Sequence, residues 1–154
     1  MANSIAAFIL SIVYLYIRQP YQVYGQAMEP AYKDGAKVLL APKYYEFKDP
    51  GRDQIIMFKH PMQQDAIIIS RVIAIPGDRV SAKEGIFYLN GRPLEETSST
   101  SSKTNTDMQE SIIGPEMYFV MGDNRDDSLD SRIIGPISKD LIIGKVTSCY
   151  ANCK

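Results

Sequence analysis

Apolar positions along the chain fall into two regimes. Residues 1–17 carry no ordinary charge, and Ile5–Ile17 (IAAFILSIVYLYI) is apolar apart from Ser11 and the tyrosine hydroxyls. Beyond Arg18 the pattern changes to short apolar runs punctuated by Pro, Gly and Asp. Lys37–Ala41, Gln54–Lys59, Ala66–Ile75, Ile86–Leu89, Met117–Met121 and Leu141–Val146 are rich in Val, Ile, Phe and Tyr and mostly too short for a typical helix, so they predict strands. Asn90-Gly91 predicts a two-residue hairpin between Ile86–Leu89 and Arg92–Leu94, because both residues tolerate positive φ. Pro76-Gly77-Asp78 predicts a tight turn before a further strand at Arg79–Ala82. Helical periodicity is absent after residue 20, except for a turn at Ser138–Leu141. Glu95–Ser111 (EETSSTSSKTNTDMQES) has Met108 as its only apolar side chain and reads as a flexible polar loop. The pattern predicts a mainly β domain over 19–154, with the loop at 95–111, tethered by one N-terminal helix over 1–18.

That N-terminal segment suits a secretory signal peptide, a buried helix or a transmembrane anchor. A signal peptide wants a positive n-region, and Met1–Ser4 has no Lys or Arg. A buried helix is possible, yet the segment has no polar face. As a helix, residues 1–17 reach about 25 Å, short of a ~30 Å hydrocarbon core. Bilayer thinning and snorkelling of Arg18 make up the difference, and Tyr14, Tyr16, Tyr21 and Tyr24 suit the interfacial belt. The anchor is the favoured reading. Composition narrows the rest: 17 Lys+Arg against 18 Asp+Glu give a net charge of −1. The basic residues do not cluster, so there is no electrostatic footprint for nucleic acid. Cys149 and Cys153 have no nearby His, which disfavours zinc; a small disulfide loop and two unpaired thiols both remain open.

Three polar-rich segments stand out against the apolar runs. They are Val23–Pro30, Ser70–Asp78 and Gly122–Arg132. Taken alone, the last suits a rigid turn with an Asp130–Arg132 ion pair. A calcium loop is disfavoured, because Arg125 falls where an alternating acidic pattern needs an oxygen.

Together, the three resemble the type I signal peptidases, membrane-bound Ser/Lys endopeptidases that remove signal peptides from exported proteins. Gly122, Asp123, Asn124, Arg125, Ser128, Asp130, Ser131 and Arg132 match the fixed positions of G-D-N-R-x-x-S-x-D-S-R. Arg71-Val72-Ile73, then Pro76, Gly77 and Asp78, match R-V-I-x-x-P-G-D, while Met28 and Pro30 fit S-M-x-P-T. Asp53-Gln54 stands where the family usually has Gly-Asp. The resemblance implies a coiled, barrel-like antiparallel β fold behind one transmembrane helix, with no metal or organic cofactor. It implies a cell-membrane protein with the N-terminus cytoplasmic and the β domain outside, in the arrangement of Gram-positive bacteria. Its partners would be the membrane, signal peptides of exported preproteins and an active signal peptidase paralogue.

The family's chemistry uses a Ser nucleophile in S-M-x-P-T and a Lys base directly before R-V-I, neutral when needed because its surroundings are apolar. Here the nucleophile position is Ala27, the base position is Ser70, and Ala31 replaces the Thr. A methyl group cannot form an acyl-enzyme, and a Ser hydroxyl is a poor base near neutral pH. Ser70, Ser128 and Ser131 are the substitute hydroxyls nearest the family's site, and none has a Lys or His at motif spacing. The resemblance assigns Ser128 to the missing Lys, Asp130 and Arg132 to an orienting ion pair, and Gly25 with the Ala27 N–H to the oxyanion position. The expectation is therefore an inactive homologue that binds signal peptides, assists an active paralogue or is vestigial. The alternatives are a variant of an active type I signal peptidase, an enzyme with a relocated nucleophile and an unrelated β-barrel binding module.

Overall fold

The computed structural model describes residues 17–63, 65–95, 104 and 106–153. Eleven strands follow in chain order: β1 (Gln19–Gln22), β2 (Lys37–Ala41), β3 (Ile55–Lys59), β4 (Ile67–Ala74), β5 (Arg79–Lys83), β6 (Ile86–Leu89), β7 (Arg92–Pro93), β8 (Met108–Ile112), β9 (Met117–Met121), β10 (Ile137–Ser138) and β11 (Ile142–Ala151). One short helix, α1 (Ser131–Ile134), lies between β9 and β10. A larger antiparallel sheet has the order β1-β2-β11-β3-β4-β9-β10, and a smaller one has the order β7-β6-β5-β8. The expectation of a mainly β, antiparallel domain holds. Among the described residues no helix is long and apolar enough to cross a membrane. The anchor expected over 1–18 lies outside the described residues, apart from Ile17 and Arg18.

The near-continuous apolar runs of β3, β4 and β9 have a simple cause: both faces of the larger sheet are covered. On β3, Met57 enters a cluster with Val23, Met28, Val38, Leu40 and Ile69, while Ile56 and Phe58 face Val72, Tyr118, Val120 and Ile137. Alternate residues of β9 also part company, with Tyr118 and Val120 on that second face and Phe119 and Met121 on the other. Phe119 and Met121 join Ile73, Val80 and Phe87 in the core between the two sheets, where the Phe87 and Phe119 rings sit 5.4 Å apart. Two buried faces per strand remove the polar alternation that a half-exposed sheet would show.

Turn chemistry follows the sequence. Asn90 (φ +54°) and Gly91 (φ +78°) both adopt positive φ, and Tyr88 pairs with Pro93 across the hairpin. Gly77 (φ +88°) lets the Asp78 N–H reach the Ile75 carbonyl at 3.0 Å. The turn expected at Ser138–Leu141 is a 3₁₀ turn over Lys139–Leu141. The polar loop needs correction: its last residues, from Met108, belong to β8, which pairs with β5 through Val80↔Ser111 and Ala82↔Met108. Only Met108 packs inward and the rest of β8 is exposed, so an edge strand formed by backbone bonding carries little apolar signal. The final strand also runs past Val146 to Ala151, and Cys149 and Cys153 form a disulfide.

Candidate functional site

The first segment is a compact turn between β1 and β2. Met28 is fully buried among Val23, Val38 and Leu40, and this apolar peg fixes the backbone on either side. The Glu29 N–H donates to the Gln26 carbonyl at 3.0 Å and the Tyr32 N–H to the Met28 carbonyl at 2.8 Å. Glu29–Pro30 is a cis peptide, and Pro30 is exposed. Ala27 is half-buried. The Gly25 N–H donates to Asp34 Oδ1 at 2.8 Å. The Gly25 donor is thus committed to a carboxylate nine residues on.

The second segment lies on β4. Ser70 pairs across from Ile56 of β3 and is fully buried, and its Oγ has no hydrogen-bond partner in the protein. Arg71 faces Met121 of β9, so continuing the antiparallel register by one residue sets Ser70 opposite Gly122. The Arg71 guanidinium grips Asp123 through both carboxylate oxygens, at 2.8 and 2.6 Å, and donates to the Asp53 carbonyl at 2.9 Å. The bonds to Asp123 hold Arg71 above its ordinary pKa despite burial. The Tyr32 phenol, near this pair, is pushed up chiefly by burial. At the end of the segment, Pro76 and Gly77 are exposed while Asp78 is buried. Burial alone would raise the Asp78 pKa, but bonds from Arg52, Asn90 Nδ2 and the Ile75 N–H hold it below the usual carboxylate range. Pro76-Gly77-Asp78 therefore braces a turn between the two sheets.

The third segment closes over the first. The Asn124 N–H donates to the Ala27 carbonyl at 3.0 Å, and Asn124 Nδ2 donates to the Gln26 carbonyl at 3.2 Å. Glycine at 122 is required by closeness: a Cβ there would lie 2.2 Å from Ser128 Oγ and 2.6 Å from the Ala27 carbonyl oxygen. Asp130 is fully buried and caps α1 through the Arg132 N–H at 3.1 Å. It also accepts from the Gly122 N–H at 3.0 Å, from Ser128 Oγ at 2.7 Å, and from Arg132 Nε and Nη2 at 2.9 and 2.8 Å. Burial would raise the Asp130 pKa, but the Arg132 and Ser128 bonds outweigh it and hold the carboxyl below its ordinary value. Ser131 Oγ accepts from the Val120 N–H at 2.9 Å. Arg125 Nε donates to the Gly122 carbonyl at 2.9 Å, and burial lowers its pKa to about 10.

The fold thus gathers Ala27, Gly122, Ser128 and Asp130 into one contact and sets Ser70 beside them in register. The predicted Asp130–Arg132 pair is present. Asp34, Asp53 and Arg52 were not foreseen, since nothing local in the sequence links each to its distant partner. Chemically, the site offers a methyl at 27, an unpartnered hydroxyl at 70 and a Ser128 hydroxyl already committed to Asp130. Lys59 and His60 lie at the far end of the β3–β4 hairpin. Lys59 pairs across from Ile67, three strand positions from Ser70, or roughly 10 Å away. His60 Nδ1 accepts from the Met62 and Gln63 N–H groups.

Comparison with known proteins agrees with this geometry. The family model for signal peptidase, peptidase S26, matches residues 1–151. Signal peptidase IB of Staphylococcus aureus (strain COL) is 31% identical over 161 residues, covering 94% of this chain and 83% of that protein. Signal peptidase I V of Bacillus subtilis (strain 168) is 32% identical over 140 residues, covering 82% of each. The crystal structure of a signal peptidase I from Enterococcus faecalis V583 superposes with a TM-score of 0.54 at 31% identity, covering 65% of this chain and 98% of that one. With the family model spanning nearly the whole chain and the matched segments converging on one site, the protein belongs to the type I signal peptidase family, peptidase S26.

Proposed function

We propose that this chain binds signal peptides of exported preproteins at the membrane surface and does not cleave them. The observation that carries this is the pair of side chains at the family's two catalytic positions. Ala27 has no nucleophilic atom, and Ser70 is a buried hydroxyl with no basic group bonded to it. The remaining hydroxyls offer no substitute, because Ser128 donates to Asp130 and Ser131 is buried against the β9 backbone. The frame around the missing pair is intact, with Asn124 holding the Ala27 turn and Arg71 holding Asp123. Peptide recognition by strand addition needs such a frame and no dyad.

On this reading residues 1–18 anchor the chain with its N-terminus cytoplasmic, and the β domain lies outside. The Cys149–Cys153 disulfide supports that side, because disulfides persist in oxidising compartments. An active paralogue is the natural recipient of a peptide held uncut. Full-length protein in detergent, mixed with a labelled signal peptide spanning its cleavage site, tests the proposal. Saturable binding with no cleavage product is the expected result. Turnover within a few orders of magnitude of an active relative would overturn it in favour of a working serine endopeptidase.

A further inference from the structure

A pocket of different chemistry lies where the chain leaves its apolar N-terminal segment. Arg18, the residue before β1, forms one side, with Lys43, Tyr44, Phe47, Lys48 and Thr147 around a cavity of about 460 Å³. Two ammonium groups converge on the Tyr44 ring: Lys145 Nζ is 4.7 Å from its centroid and Lys48 Nζ 5.5 Å. Both lie within the range of cation–π attraction, which holds them in place without neutralising them. Among the described residues Lys43 has a carboxylate partner, Glu46 at 3.2 Å, whereas Arg18, Lys48 and Lys145 have none. Two unneutralised cations, Arg18 and Lys48, therefore line the recess, and a third, Lys145, sits over the ring of its Tyr44. The Phe47 ring at its rim is 76% exposed.

We propose that this pocket holds the phosphate of an anionic phospholipid headgroup, with the Phe47 ring entering the lipid interface. Charge complementarity sets the ligand's sign, and three cations with hydrogen-bond donors suit a phosphate oxygen cluster. Position selects the lipid over a free anion. Arg18 directly follows the uncharged residues 1–17, so an anchored chain carries the pocket at headgroup depth, where an exposed aromatic ring is favourable. The inference rests on the anchored reading given above.

The test uses full-length protein in detergent micelles, titrated with phosphatidylglycerol or phosphatidylcholine of identical acyl chains and read by native mass spectrometry. One phosphatidylglycerol per chain is expected, retained at least about tenfold more strongly than phosphatidylcholine. Removing two cations in Lys48→Gln/Lys145→Gln should cut retention by roughly thirtyfold, while Lys83→Gln on the smaller sheet leaves it unchanged. Equal retention of the two lipids, or an unchanged preference in the double variant with native circular dichroism, would overturn the proposal. Full displacement of the lipid by millimolar inorganic phosphate would reassign the site to a free anion. An alkaline carbonate wash of native membranes reports separately on the anchor. Release of the protein there would sink the anchored reading, while the micelle titration still decides the pocket.

Discussion

The wall around Asp130 and the face carrying Ala27 and Ser70 meet at Gly122, yet they use their polar atoms in opposite ways. Asp130 accepts five hydrogen bonds, from two backbone N–H groups, one hydroxyl and two guanidinium nitrogens. A few ångströms of backbone away, Ser70 Oγ is buried with none. Leaving a buried hydroxyl unbonded costs about 1–3 kcal/mol, so the bare face is a place where packing is retained at the expense of stability. Support and chemistry are thus separable in this site. On the proposed reading the support is complete without the dyad, and what is missing belongs to the side chains at 27 and 70.

The sharpest way to break that contrast is to restore both side chains. Ala27→Ser with Ser70→Lys should raise signal-peptide cleavage by several orders of magnitude, up to about 10⁶-fold, the scale lost when a serine protease loses its nucleophile. Neither single change should do so, and product formation in a gel assay decides between them. Next in size is damage to the saturated wall. Asp130→Asn leaves the Arg132 guanidinium, 6% exposed, without its counter-charge, and should cost about 3–5 kcal/mol in chemical denaturation.

The same carboxylate predicts an acid transition. Its folded pKa is depressed, so its contribution is complete above the unfolded value near 4 and drains away as pH falls through the lower folded value. Thermal melts of wild type and Asp130→Asn should converge below about pH 4. A smaller loss, about 1–3 kcal/mol, is expected for Gly122→Ala, whose methyl would collide with Ser128 and the Ala27 carbonyl. The smallest effect has the opposite sign: Ser70→Ala should stabilise by about 1 kcal/mol by deleting the orphaned oxygen. A destabilised Ser70→Ala would show that the hydroxyl has a partner and that the two walls are alike.

What could be read in advance depended on whether a feature was local. Lys37–Ala41 appears as a strand with the predicted limits, and Asn90-Gly91 turns as its backbone preferences dictate. The Gly122–Arg132 motif also carried its ion pair in plain sight, since Asp130 and Arg132 are neighbours. β1 escaped because it reads Gln-Pro-Tyr-Gln, with only Tyr21 packing against the core. β8 escaped for the same reason, as an edge strand with one inward residue. Helix α1 is a single turn set by the Asp130 cap rather than by apolar periodicity. The braces Arg71–Asp123 and Arg52–Asp78 join residues 52 and 26 positions apart, and only the folded sheet brings them together.

The place of β11 has a consequence for how this molecule comes into being. It pairs with β2 on one side and with β3 on the other, yet it is made after both. Until residues 142–151 have been synthesised, β2 and β3 have facing unpaired edges, and no strand pairing joins β1–β2 to β3–β4. The sheet therefore closes from its middle and last, by a long-range step that is slow for entropic reasons. A ribosome or translocation channel still holding these residues would hold an unfinished site, with the Ala27 turn and the Ser70 strand on different halves.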